Sequence, residues 1–221
     1  MRLASRVVPP LLLVAAVMFA AAPFVIDTAP YESSMGLIQR IFYFHVPVGI
    51  VMLVSGLVCG IASAVFLFRR SRAADHLAVA AAELSVVFGL IVLATGPLWA
   101  RKAWGVWWDW DARLTSTVVM WMIFAAYLLL RRFGGPGSEV LSAAVGLFGA
   151  VMAPFVYWSV NWWRTLHPKT SVLPTLPSPM MMPMLFCLTA FFVLYVALLL
   201  LRARLEASQA SLEQAYLSVE D

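Results

Sequence analysis

Three histidines occur in the chain, and two of them sit where chemistry is possible. His45 follows the stretch QRIFYF and comes just before a long apolar run, and His167 lies within NWWRTLHPKT. Between them stands WGVWWDWD, Trp104–Asp111, with four tryptophans and two aspartates in eight residues. A neutral imidazole is a good ligand for a transition metal, and one imidazole on each side of a porphyrin iron is an ordinary axial arrangement. Indoles supply flat apolar area, and arginine forks match carboxylates. Arg40, Arg113 and Arg164 lie close in sequence to the two histidines and the tryptophans. A large flat ligand with a central metal and peripheral carboxylates would use all of these groups, and haem is such a ligand. Zinc is the competing metal. It takes three or four ligands from Cys, His and carboxylate, and His45 and His167 with Asp109 and Asp111 would leave the indoles without a role. Taken singly, each residue also has an ordinary use: tryptophan as an interfacial anchor, arginine against lipid phosphate, histidine in packing.

The elements that must position these residues are membrane helices. Of 221 residues 63% are hydrophobic and 12% charged, with mean hydropathy +0.90. A soluble domain carries about twice that charged fraction. A span needs roughly 20 mostly apolar residues, and six stretches fit: Val7–Ile26, Val46–Phe68, Leu77–Trp99, Leu114–Leu130, Val140–Val160 and Met180–Leu201. The first resembles a signal peptide in having Arg2 and Arg6 before it and Ala20-Ala21-Ala22 at its end, but its apolar run is long, and it reads as an uncleaved helix. Six spans put both termini on one side, with Arg2, Arg6, Arg69, Arg70, Arg72, Arg131, Arg132, Arg202 and Arg204. Arg40, Arg101, Lys102, Arg113, Arg164 and Lys169 fall on the other. The richer side also has the short, Arg-clustered loops, so the termini are expected in the cytoplasm. The expected organisation is a six-span all-α membrane domain over residues 1–204, with a short polar cytoplasmic tail over 205–221.

All nine tryptophans then fall in the outer half. An interfacial belt would occupy both sides, so the one-sided distribution points to a flat ligand on the outer face. If Trp104–Asp111 is helical, Trp104, Trp107, Trp108 and Asp111 share a face, Trp110 points elsewhere, and the segment is an amphipathic interfacial helix weakened at Gly105. Asp111 beside Arg113 is expected to shape the segment through an ion pair or cap bonds, while Asp109 faces water. Glu83, inside span three, is expected to snorkel or bond a neighbouring helix. The run LPTLPSPMMMP, Leu173–Pro183, is expected to stay extended up to span six. Cys59 and Cys187 lie in apolar runs and read as small core residues. No P-loop is present, so nucleotide hydrolysis by that route is excluded. The absence of Cys-x-x-Cys-His argues against covalent haem, and the positive charge reflects orientation and not nucleic-acid binding.

WGVWWDWDARLTS resembles the tryptophan-rich WWD signature of haem-handling proteins in cytochrome c biogenesis, and MGLIQRIFYFHVP and SVNWWRTLHP resemble the companion histidine segments. Size and span number are similar to the smallest type, the cytochrome c maturation protein C (CcmC, haem exporter protein C) family. The resemblance runs from about Met35 to Met184, and between the motifs it rests on length and hydropathy alone. It implies non-covalent, transient binding of haem b at the periplasmic face of a bacterial inner membrane, with His45 and His167 as axial ligands of the iron. It also implies that Trp104, Trp107, Trp108, Trp110, Asp111 and Arg113 form the Trp-rich motif, with Arg40 as the basic residue before the first histidine. The family passes haem to a periplasmic chaperone, maturation protein E, and associates with ABC transporter subunits A and B and a small single-span protein D. The implied role is haem binding and transfer, not catalysis. Two alternatives are a haem-containing membrane oxidoreductase, against which the lack of histidines inside the spans weighs, and a cofactor-free subunit docking an ABC transporter.

Overall fold

The computed structural model describes residues 2–31 and 35–220. Among these, six helices are long and apolar enough to cross a membrane, and no strand occurs. They are α1 (Arg2–Asp27), α2 (Phe42–Arg69), α3 (Arg72–Ala103), α4 (Ala112–Phe133), α5 (Ser138–Trp162) and α6 (Ser178–Glu220). All six expected spans are present, and every helix runs past the apolar stretch that announced it. An α-helix needs no apolar continuity, only its own backbone bonds, so helices continue into polar residues until a cap stops them.

Those caps are visible. Ser71 accepts from the Ala74 N–H at 3.4 Å to open α3, and Asp111 accepts from the Leu114 N–H at 2.8 Å to open α4. Arg70, with φ of 53°, closes α2 in the left-handed region. The tail from Leu205 is not a separate element: α6 continues through it to Glu220, with Leu212, Tyr216 and Leu217 exposed. Asp221, which ends the expected tail, lies outside the described residues, as does the side chain of Arg2.

Helix α2 packs on α3 and α5, α4 on α3 and α5, and α6 on α3 and α2, while α1 lies mainly against α6. The shared core contains Val48, Val51 and Met52 of α2, Ala81 and Phe88 of α3, Met120 and Phe124 of α4, Val156 of α5, and Phe191 and Tyr195 of α6. Phe19 of α1 meets the Phe191 ring edge-on at 4.8 Å. Cys59 and Cys187 are buried and unbridged, as small core residues should be. Trp121 half-buries between helices, its indole N–H donating to the Val86 carbonyl at 3.0 Å, and so fastens α4 to α3.

The charged residues within the bundle pair near the end holding the α2–α3 and α4–α5 loops. Glu83 receives the Arg202 fork at 2.5 and 2.6 Å, joining α3 to α6, which is the neighbouring-helix bond expected of it. Asp75 receives Arg131 at 2.9 Å, joining α3 to α4. The opposite end carries the site.

Candidate functional site

His45 does not lie in a loop. It occupies the first turns of α2, because the helix begins at Phe42 directly after a 3-10 helix at Gly36–Ile41. Its ring is held by α3. The Nδ1 atom lies 2.8 Å from the Thr95 hydroxyl, and that hydroxyl donates its own proton to the Ile91 carbonyl at 2.7 Å. Having spent its only proton, the Thr95 oxygen can only accept from the imidazole. His45 is therefore the Nδ1–H tautomer, and its Nε2 lone pair is left unused. A Cβ at Gly96, the next residue of α3, would stand 3.4 Å from the His45 ring, in ordinary contact, so α3 passes close beside the imidazole.

The loop from Trp104 to Asp111 connects α3 and α4, and it is not a helix. The Trp104 N–H closes α3 on the Ala100 carbonyl at 2.7 Å, and Gly105 follows with φ of 79°, a left-handed conformation that turns the chain out of the helix. The Arg101 guanidinium holds that turn by bonding the Gly105 carbonyl. The shared helical face expected of Trp104, Trp107, Trp108 and Asp111 is thus absent. Trp107 and Trp110 are 58% and 74% exposed, whereas Trp104 and Trp108 are half-buried and Asp111 is buried. Trp104 packs edge-on against Trp99 of α3 at 5.3 Å and against the His167 ring at 6.4 Å. Trp108 meets Trp110 at 5.6 Å. The indole N–H groups of Trp99 and Trp108 are buried with no partner. A buried donor without an acceptor is costly, so each of the two calls for an explanation.

Asp111 joins the two loops. One carboxylate oxygen caps α4; the other accepts from the Thr165 hydroxyl at 2.5 Å and the Leu166 N–H at 3.1 Å. Thr165 in turn accepts from the His167 N–H at 2.9 Å. The cap bond expected of Asp111 is there. The ion pair with Arg113 is not: Arg113 reaches instead across to the Val156 carbonyl of α5 at 2.5 Å. Asp109 is exposed, as expected.

His167 points Nδ1 at the Pro168 carbonyl, 2.9 Å away. A carbonyl can only accept, so this ring too carries its proton on Nδ1 and leaves Nε2 open. Burial pushes the His167 pKa down to about 4, the charges of Arg113 and His45 add to that, and the Pro168 bond opposes it. The ring is neutral at physiological pH and able to bind a metal. His45 meets Thr95, and one turn further along α3 Trp99 meets Trp104, which meets His167, so the two histidines are approached from the same end of α3.

Other expected members stand apart. Arg40, in the 3-10 helix, pairs with Asp27 at the end of α1 at 2.6 Å, and Arg164 is exposed. The proline-rich run is not extended to its end: Leu173–Thr175 form a turn, and α6 begins at Ser178, so Pro179 lies in its first turn, where a missing N–H costs little, while Pro183 lies inside the helix. Among the described residues no group of three His, Cys, Asp or Glu side chains comes together, as a bare zinc ion would require.

The family model for heme exporter protein C matches residues 1–218. The chain belongs to that family. It is 36% identical over 211 residues to the heme exporter protein C of Bradyrhizobium diazoefficiens, covering 92% of this chain and 80% of the relative. It is 34% identical over 185 residues to the heme exporter protein C of Escherichia coli K12, covering 80% and 73%. A Marchantia polymorpha relative described as a putative cytochrome c biosynthesis ccmC-like mitochondrial protein is 31% identical over 179 residues, covering 80% and 77%. Among the residues that support the histidines, sequence reasoning missed Thr95, Gly96 and Thr165. Thr95-Gly96 is a polar-small pair inside an apolar span, which was a usable signal. Thr165 had none, because its partner lies 54 residues away.

Proposed function

We propose that this chain binds haem b non-covalently at the His45 end of the bundle, with His45 and His167 as axial ligands, and hands it on in the making of c-type cytochromes. The observation that carries the reading is the shared tautomer: each imidazole has its Nδ1–H engaged, by Thr95 or by Pro168, and each leaves Nε2 free. Metal-bound histidines are ordinarily held in this way by an outer acceptor. The unpartnered indole N–H groups of Trp99 and Trp108 suit acceptors on a bound ligand, and Trp104 adds an aromatic wall beside His167. The positive charge of Arg113 is felt at both rings, which favours an anionic cargo.

The binding face is periplasmic and the membrane is the bacterial inner membrane, supported by the excess of arginine at the opposite end. Haem passes to a periplasmic haem chaperone, maturation protein E. Transporter subunits A and B and the small protein D assemble with this chain, and no chemical step on the porphyrin is required of it. The exposed Trp107 and Trp110 lie beside the site, where the receiving protein and lipid headgroups would meet it.

The test is the visible spectrum of purified chain with haem added. The expected result is a low-spin bis-histidine spectrum that both His45→Ala and His167→Ala abolish. A low-spin spectrum that survives both substitutions would overturn the reading.

A further inference from the structure

The two histidines are held in unlike ways. His45 stands on a helix and is bonded to a second helix, through a hydroxyl that is itself bonded to backbone. The imidazole contact thus joins α2 to α3, the most extensive packing in the bundle. His167 stands on the α5–α6 connection, outside any helix, before a short 3-10 helix at Thr170–Val172. Its ring is bonded only to the carbonyl of its own neighbour, which moves with it. What fixes its backbone is the relay His167 N–H to Thr165 hydroxyl to Asp111 carboxylate, together with the Leu166 N–H on the same carboxylate oxygen. The Asn161–Thr170 side-chain bond at 3.0 Å ties the connection back to the end of α5, but three residues beyond His167.

Resting on the haem-binding reading above, we propose that Thr165 is a positioning residue that latches His167 to the start of α4 through Asp111, and that His167 is the ligand that lets go when haem leaves while His45 stays. Thr165 does not touch the cargo in this account. It acts by holding the His167 backbone, accepting one hydrogen bond and donating another. The carboxylate it holds ends the tryptophan loop, and Trp104 of the same loop touches the His167 ring. Displacing that loop, by a protein that engages the exposed Trp107 and Trp110, would draw on Asp111 and open the latch. Only the iron–His167 bond breaks, and its electron pair stays on the imidazole, so nothing is oxidised or reduced.

Full-length Thr165→Val, Thr165→Ser, His45→Ala and His167→Ala proteins test this. Without haem, hydrogen exchange at the Leu166 and His167 amides should quicken roughly tenfold in Thr165→Val, the loss of about one hydrogen bond, and return to the wild-type rate in Thr165→Ser. With haem, Thr165→Val should show a partly high-spin spectrum and release haem to apomyoglobin several-fold faster, and Thr165→Ser should again restore both. His167→Ala should retain five-coordinate haem on His45, and His45→Ala should lose most of it. Unchanged amide exchange in Thr165→Val, or equal haem loss in the two alanine variants, would overturn the proposal. A wild-type protein that shows no bis-histidine haem would defeat the underlying reading instead, and the haem-free exchange result would still stand by itself.

Discussion

Asp111→Ser should detach the His167 connection and leave α4 in place. Serine is a good helix cap, so its hydroxyl takes over the Leu114 N–H now bonded at 2.8 Å. It is too short to reach Thr165 and Leu166, now at 2.5 and 3.1 Å from the second carboxylate oxygen. Hydrogen bonds to an ionised group contribute about 1.5–3 kcal/mol each, and water replaces part of that in a half-exposed connection. A loss of about 2–3 kcal/mol for the pair follows, equivalent to roughly a 30- to 160-fold fall in the population with His167 docked. Asp111→Ala removes the cap as well, at a further ~1 kcal/mol, or ~2–4 °C of unfolding temperature for a chain of this length. The assay is a haemin titration followed in the Soret band, run beside thermal unfolding. Asp111→Ser should weaken six-coordinate binding and unfold close to wild type, and Asp111→Ala should be lower on both scales. If Asp111→Ser binds haem with wild-type affinity and spin state, the carboxylate is only a helix cap and the reasoning fails.

Other expectations concern the surroundings. In the haem-free protein, NMR titration should find His167 neutral down to pH 5, with its pKa near 4, and Arg113→Gln should raise it part of the way to 6.5, because burial is the larger cause. A folded pKa below the unfolded value means that the stability it confers is complete above about pH 6.5 and declines as pH falls toward 4. The connection should therefore loosen over that window and not at alkaline pH. Trp99→Phe and Trp108→Phe each delete a buried donor that has no partner, so the haem-free protein should unfold no earlier than wild type while haem binding weakens; a drop in haem-free stability of more than ~1 kcal/mol would show that these N–H groups already serve the fold. Glu83→Gln breaks the Arg202 fork at the far end, where both side chains are about 30% exposed, and should cost about 1 kcal/mol of stability without altering the haem spectrum.

The architecture was legible because hydropathy alone marks a membrane helix, and all six spans were found from it. Helix ends were less so. His45 looked like a residue ahead of its span because the unbroken apolar run starts after it, yet Phe42–Phe44 before it are already helical. The spacing of Trp104, Trp107, Trp108 and Asp111 matched a helix face, but backbone punctuation prevailed: α3 closes at Trp104 and Gly105 turns left-handed. The residues proposed to meet haem stand in motifs that were readable along the chain. Their supports were not, because Thr95 meets His45 across 50 residues and Thr165 meets Asp111 across 54, distances over which no local pattern reports a contact.

The central claim is that two imidazoles, each with a free Nε2, close on one iron. Its most direct measurement is low-temperature electron paramagnetic resonance of the ferric haem complex, with and without added imidazole. Wild type should give a low-spin bis-imidazole signal. His167→Ala should give a high-spin signal that free imidazole converts back to the low-spin form by occupying the vacated position. A His167→Ala protein with the wild-type low-spin signal before any imidazole is added would contradict the account.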